Sequence, residues 1–434
     1  MDVVDVVYQS YYDQLMKKIK DRQAFEQITL KNGIEIYYYP EKSPISLATV
    51  IAPFGSAHNT SINIHGSAHL LEHMVLQRSK LHPQAKGFAK KIDAMGGYIN
   101  GSTYSLETDY SFGVPSGDFD LAWEGFIDQI FHPIFKQEDI VKQANIILSE
   151  KKRERYYPAQ SELDQYIYTK WIDDCPYTID QIYGKSSKLN KLTPAVLTRI
   201  HQNYFRKPLR VLLAGDINLK KVVESLENYP IKHSESGVAD TPLRWINREY
   251  HELSFEEINR WEYRLGGLQT LPINNLQKYA LVNFIIAFIS NHYQGVLYKW
   301  LREELGWAYE LNASIFRRKD KLFWSIYIPL HSSKQVSIVR KELIERIRCA
   351  LKDSTAIAQK IDRQIGRTSF YYQTLGEIIN DAAYDLNIYS RVISENEWLK
   401  YIVNCNDSKL LVQIWDELVE KDKIGEFTAI PLAE

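Results

Sequence analysis

The stretch GSAHLLEHM, residues 66–74, sets the reading of this chain. His69 and His73 stand four residues apart, so on a helix both imidazoles project from one face within reach of a single cation. Glu72 lies three residues beyond His69, beside the same face. Two neutral histidines hold Zn²⁺ with a position left open. An adjacent carboxylate that is not a ligand can then take a proton from water, whose pKa the metal lowers to about 7. The order HxxEH is the reverse of the usual zincin signature. A catalytic zinc site takes a third protein ligand, and Glu150 in EDIVKQANIILSEKKRERYYP (138–158) is the candidate. Gln143, Ile147, Glu150 and Glu154 fall along one side of that predicted helix.

Outward from the motif, the elements alternate. QITLKNGIEIYYY (27–39) predicts a hairpin through Asn32-Gly33, and ISLATVIAPFGS (45–56) a further strand. The motif helix follows. GGYINGSTYSLETDYSFGVP (96–115) predicts two strands around a short turn, and helices follow from about Phe119 to Arg155, Ser161 to Trp171 and Pro194 to Asn203. RVLLAGDI (210–217) is a short apolar strand. IKHSESGVADTPLRW (231–245) is polar and without periodicity, which marks a linker. Beyond it the order recurs: strand EYRLGGLQT (262–270), one long helix over 276–305, strands WAYELNASIF (307–316) and KLFWSIYIPL (321–330), then helices. The expected fold is α+β, in two related halves, each a mixed β-sheet packed with helices: residues 1–230 with the HxxEH site, linker 231–245, and residues 246–434.

Composition narrows the function. At 434 residues, 45% hydrophobic and 25% charged, the chain is globular and too long for one small core. Lys plus Arg (53) nearly cancels Asp plus Glu (54), which argues against nucleic acid or an anionic membrane as the main partner. Cys175, Cys349 and Cys405 are scattered and odd in number, so neither a disulfide framework nor a thiolate metal site is expected. The first 20 residues read as neither a secretory signal nor a transit peptide, and no apolar run approaches the ~20 residues of a membrane-spanning helix. The expectation is a cytoplasmic protein.

The motif and its surroundings resemble the pitrilysin family of zinc metallopeptidases, which includes processing peptidases and insulin-degrading enzymes. The resemblance rests on HxxEH followed after 76 residues by Glu150. It also rests on FGS (54–56), GGYINGSTYSLETDY (96–110), HPIF (132–135), LRVLLAGDI (209–217) and LREELGWAY (301–309), in the family's order. It implies that His69, His73 and Glu150 hold one zinc ion per chain and that Glu72 is the general base. Asn100 and Gly101 fall where such enzymes offer an edge strand to an extended peptide. Arg302 and Tyr309 match a pair that the second half brings to the active site: Tyr309 as hydrogen-bond donor to the oxyanion, Arg302 on the substrate backbone. One departure stands out, because the family usually has a second Glu where this chain has Gln143. Gln143 keeps hydrogen-bonding capacity toward the metal ligands and loses the charge. Glu107 sits one position from the family's acidic residue. His58 and His65, flanking the loop before the motif, read as bystanders.

The resemblance implies a zinc endopeptidase cutting short or unfolded peptides, such as leader peptides, presequences or fragments, inside a chamber formed by a dimer. Zinc-bound water would be the nucleophile. A homodimer is the simplest assembly because both motif sets are present, with a heterodimer with a related subunit as the alternative. The competing reading is a non-catalytic structural or binding subunit of the same fold.

Overall fold

The computed structural model describes residues 25–58, 65–154, 167, 170–173, 182–205, 207–227, 229, 231, 244–245, 250–255, 258–290, 293–318, 320–371 and 374–432. The expected opening helix, most of the helix expected over 161–171 and most of the expected linker lie outside the described residues.

The first half is built on a six-stranded mixed sheet of order β1-β2-β7-β3-β5-β4. Its strands are β1 (Glu26–Thr29), β2 (Glu35–Pro40), β3 (Ile45–Ala52), β4 (Tyr98–Thr103), β5 (Thr108–Pro115) and, later in the chain, β7 (Arg210–Gly215). The β1–β2 hairpin turns at Gly33, whose φ of 85° lies in the region that favours glycine. β7 runs parallel to β2 and antiparallel to β3, so RVLLAG is buried on both sides and reads as a continuous apolar run. β4 pairs with β5 alone and forms an edge of the sheet.

One face of this sheet carries the helices α1 (Ser67–Val75), α2 (Gly87–Ala94), α3 (Phe119–Phe131), α4 (Gln137–Glu154) and α5 (Pro194–Tyr204), with α6 (Leu219–Glu227) beside them. Thr193 caps α5 through the amide of Val196, with Pro194 at its first position.

The second half repeats the plan on a five-stranded sheet of order β11-β12-β10-β13-β9. Its strands are β9 (Tyr250–Phe255), β10 (Trp261–Thr270), β11 (Asn312–Arg318), β12 (Lys321–Leu330) and β13 (Ile424–Pro431). Its helices are α7 (Leu276–Ile289), α8 (Ser333–Ala350), α9 (Ser354–Tyr371), α10 (Leu375–Tyr389), α11 (Glu395–Val403) and α12 (Ser408–Leu418). The long helix expected over 276–305 is broken. α7 ends at Ile289, and a separate π-helical segment covers Tyr298–Glu304, with a turn before it at 293–295. The strand expected from Trp307 begins at Asn312, so Tyr309 stands in a bend before the strand, not on it.

The two halves cover each other's exposed sheet faces. Tyr37, Tyr39, Leu47, Ile51, Leu212 and Ala214 point away from the first half's helices and meet Leu375, Ile379, Ala382 and Leu386 of α10. Reciprocally, Ile167, Trp171 and Ile172 from the first half cover Phe323, Phe427 and Ala429 of the second sheet. Trp171, fully buried, fills a slot made by Gly266 and Gly425, which face each other across β10 and β13. A Cβ on either glycine would come within 2.6–2.7 Å of the indole. Next to Trp171, β6 (Ile172–Asp173) pairs with β8 (Arg244–Trp245), which ends the expected linker.

Candidate metal centre

α1 starts where Gly66 adopts φ 84°, and α4 lies against it. A Cβ at Gly66 would meet the backbone of Gly184 at 2.7 Å, so two glycines let the chain after α4 pass close to the start of α1. Arg78, just after α1, grips Asp139 at the start of α4 through hydrogen bonds of 2.6 and 3.3 Å. Gln143 and Glu150, seven residues apart and so two turns along α4, then face α1.

His69 and His73 stand edge to face, with ring centroids 4.8 Å apart. The Nε2 atoms of His69 and His73 lie 3.5 and 3.6 Å from the same carboxylate oxygen of Glu150. Those separations are too long for hydrogen bonds. They match the ~3.3–3.6 Å between donor atoms of a tetrahedral zinc shell with bonds of about 2.0–2.2 Å. The Nδ1 of His73 donates to Oε1 of Gln143 at 3.1 Å, leaving Nε2 as the lone-pair nitrogen. Gln143 is 3% exposed. Burial, and then the neighbouring His73, push the pKa of His69 down to about 3, so its imidazole is neutral and able to ligate. The donor set fits a zinc ion.

Glu72 lies on the same helix, 7% exposed, with Oε2 3.9 Å from Nε2 of His69. That oxygen accepts a hydrogen bond from Oγ1 of Thr103 on β4 at 2.8 Å. Burial pushes the Glu72 pKa up to about 7. The Thr103 hydrogen bond opposes this, and the charges of Glu150 and Asp109 add to it. Gly101 makes room for the carboxylate: a Cβ there would stand 2.8 Å from both Cγ and Oε1 of Glu72. Gly101 has no positive φ, so the need is for space. Asn100, its neighbour, is exposed on the edge strand opposite Ser111.

The structure thus gathers His69, Glu72, His73, Gln143 and Glu150 at one place, with Gly101 against Glu72. Arg302 and Tyr309 also come together, but with each other: the guanidinium lies 4.8 Å from the Tyr298 ring centroid and 4.3 Å from that of Tyr309. Among the described residues, none of their recorded contacts reaches the histidines. Tyr309 is 73% exposed. Of the bystanders, His58 uses Nδ1 to accept the Gly55 amide at 2.9 Å. Glu107 is buried, and its pKa is pushed up to about 8, chiefly by burial.

Sequence reasoning missed Thr103 and Tyr183. Thr103 sits two residues beyond Gly101, and the period of a strand places both on the face toward α1. Tyr183 packs edge-on against His69 at 5.2 Å, brought there by the Gly66–Gly184 crossing, which no local pattern announces.

Two family models match the chain: residues 37–172 match Insulinase (Peptidase family M16), and residues 191–357 match the Peptidase M16 inactive domain. The chain belongs to the M16, or pitrilysin, family. An uncharacterized zinc protease of Rickettsia felis is 26% identical to this M16 chain over 331 residues, covering 74% of this chain and 77% of that protein. Another, of Rickettsia bellii, is 23% identical over 412 residues, covering 90% and 94%. The M16 chain also shares its fold with a protease from Helicobacter pylori, at TM-score 0.77 and 16% identity over 94% of this chain and 99% of that one. It matches 48% of the periplasmic protease PqqL from Escherichia coli, at TM-score 0.74 and 14% identity over 94% of this chain. Among the described residues, no helix is long and apolar enough to cross a membrane.

Proposed function

We propose that the chain is a zinc-dependent endopeptidase for short or unfolded peptides, with His69, His73 and Glu150 as metal ligands and Glu72 as general base. The observation that carries this reading is the convergence of two imidazole Nε2 atoms on one Glu150 oxygen, with a buried carboxylate alongside. When bound, zinc supplies Lewis-acid polarisation of a peptide carbonyl and lowers the pKa of water to about 7. Glu72, with a pKa of about 7 and fixed by Thr103, is suited to take the proton from attacking water and return it to the leaving amine. Gln143 orients His73.

The edge strand β4 offers the backbone at Asn100 and Gly101 to an extended peptide, which adds as a strand. Arg302 and Tyr309 complete the site when the second half, or a second copy, closes over the metal face. Tyr309 then donates to the oxyanion and Arg302 holds a substrate carbonyl. We place the halves at residues 1–230 and 246–434, in a homodimer enclosing a chamber, with a related subunit as the alternative partner. The exposed free Cys349 suits a reducing, cytoplasmic compartment.

A second reading, a non-catalytic subunit, is favoured by Gln143, which brings no charge to the metal shell. Glu72→Gln separates the two. If the chain is a peptidase, the variant keeps zinc and loses peptide cleavage by several orders of magnitude; for a scaffold, neither protein cleaves.

A further inference from the structure

A cavity of about 420 Å³ lies in the second half, among α7, α9, α10 and α11, apart from the metal centre. α9 presents Lys360, Arg363 and Arg367 to it, at spacing i, i+3 and i+7 and so on one helix face. Among the described residues, none of the three is ion-paired with a carboxylate. Lys360 is 9% exposed, and its ammonium donates to the carbonyl of Ala287 at 2.7 Å. Burial and then the charges of Arg363 and Arg367 push its pKa down to about 8. Arg363 is lowered in the same way, by burial and Arg367. A buried ammonium facing two like charges and a neutral acceptor is a costly arrangement that an anion would relieve.

Asp385, which also lines the cavity, does not supply that anion. It accepts the Ile393 amide at 2.8 Å, and burial pushes its pKa up to about 7, helped by Asp381. Aromatic residues also line the cavity. Tyr279 packs against Tyr389 at 5.6 Å and Trp398 at 6.0 Å, and its hydroxyl meets that of Tyr384 at 3.3 Å.

We propose that this cavity binds a small organic phosphate: the phosphate against Lys360, Arg363 and Arg367, and a planar ring against the tyrosine and tryptophan wall. Arginine forks match phosphate oxygens two at a time, and the volume suits a small ligand. The chain carries no glycine-rich phosphate loop, so recognition here falls to side chains. The opposite face of α10, whose Tyr384 and Asp385 line the cavity, packs on the first half's sheet, so occupancy also stabilises the contact between halves.

The test is calorimetric titration of the full chain with phenyl phosphate and with inorganic phosphate, in the presence of a chelator so that metal-site binding cannot contribute. Phenyl phosphate binds the wild type and raises its melting temperature; Arg363→Gln/Arg367→Gln weakens it about tenfold or more. Both arginines are at least partly solvent-exposed, and the double variant keeps the wild-type circular dichroism. Tyr384→Ala weakens phenyl phosphate but not inorganic phosphate. No heat and no melting shift at millimolar ligand, or equal binding by the arginine variant, overturns the proposal. Equal affinity for both ligands overturns the role of the aromatic wall.

Discussion

Gly101→Ala probes the catalytic geometry without touching a metal ligand. The new Cβ would stand 2.8 Å from Cγ and Oε1 of Glu72, where real contacts need about 3.4 Å or more. Backbone strain does not enter, because Gly101 lacks a positive φ. Glu72 is buried, and Thr103 holds its other oxygen at 2.8 Å, so the carboxylate cannot swing into open space. It must shift by roughly half an ångström to an ångström, which costs on the order of 10- to 100-fold in kcat/KM where a proton must be taken in a fixed geometry. Zinc stoichiometry is unchanged, since the three atoms nearest the new Cβ all belong to Glu72, which is not a metal ligand. The assay is cleavage of a fluorogenic unstructured peptide, with zinc measured on the same samples. In a Glu72→Gln background the second substitution adds nothing, because the group it displaces is already inert. A Gly101→Ala enzyme that keeps zinc and full activity would refute the proposed confinement of Glu72.

Further outcomes follow from the same geometry. Gln143→Leu unpairs Nδ1 of His73 and weakens zinc binding by about 10- to 100-fold in a chelator competition, while Gln143→Glu binds zinc at least as tightly as wild type. Tyr309→Phe, at an exposed position, lowers kcat with no measurable change in the urea midpoint; a parallel loss of stability would contradict its assignment. Trp171→Ala empties the slot between Gly266 and Gly425 and destabilises the chain by about 3–5 kcal/mol in urea denaturation. Glu107 ionises near 4.5 when unfolded and near 8 when folded, so the native state binds the extra proton and stability falls as pH rises between those values. Glu107→Gln removes that loss, raising the melting temperature more at pH 8 than at pH 5; an equal shift at both would rule it out.

The metal-centre helix was legible because its information is local: a four-residue spacing fixes two imidazoles on one face whatever else the chain does. Glu150 needed a second helix aligned to the first, and the resemblance supplied it where periodicity alone gives a charged surface helix. The α+β halves were legible from apolar strands such as RVLLAG and KLFWSIYIPL. The break between Ile289 and Tyr298 does have a local mark, the polar run SNHYQG (290–295) ending in a glycine, but the helix-favouring residues on both sides of it read as one continuous helix. The exchange of cover between the halves was not legible, because Trp171 meets Gly266 and Gly425 only through tertiary packing, and isolated glycines in strands do not say what fills their space. Thr103 was within reach of a period-two reading from Gly101. The pairing of Arg302 with Tyr309 was expected from the resemblance, while its contact with Tyr298 is the i, i+4 neighbour relation of a helical turn, legible once that helix is drawn.

The central claim is that His69, His73 and Glu150 hold a catalytic zinc beside Glu72. It is tested most directly by measuring zinc content and cleavage of an unstructured peptide mixture, read by mass spectrometry, for wild type and Glu72→Gln with and without a chelator. The account predicts one zinc per chain in both proteins and chelator-sensitive cleavage in wild type alone. Cleavage that survives the chelator, or a zinc-loaded Glu72→Gln chain that cuts at the wild-type rate, would contradict it.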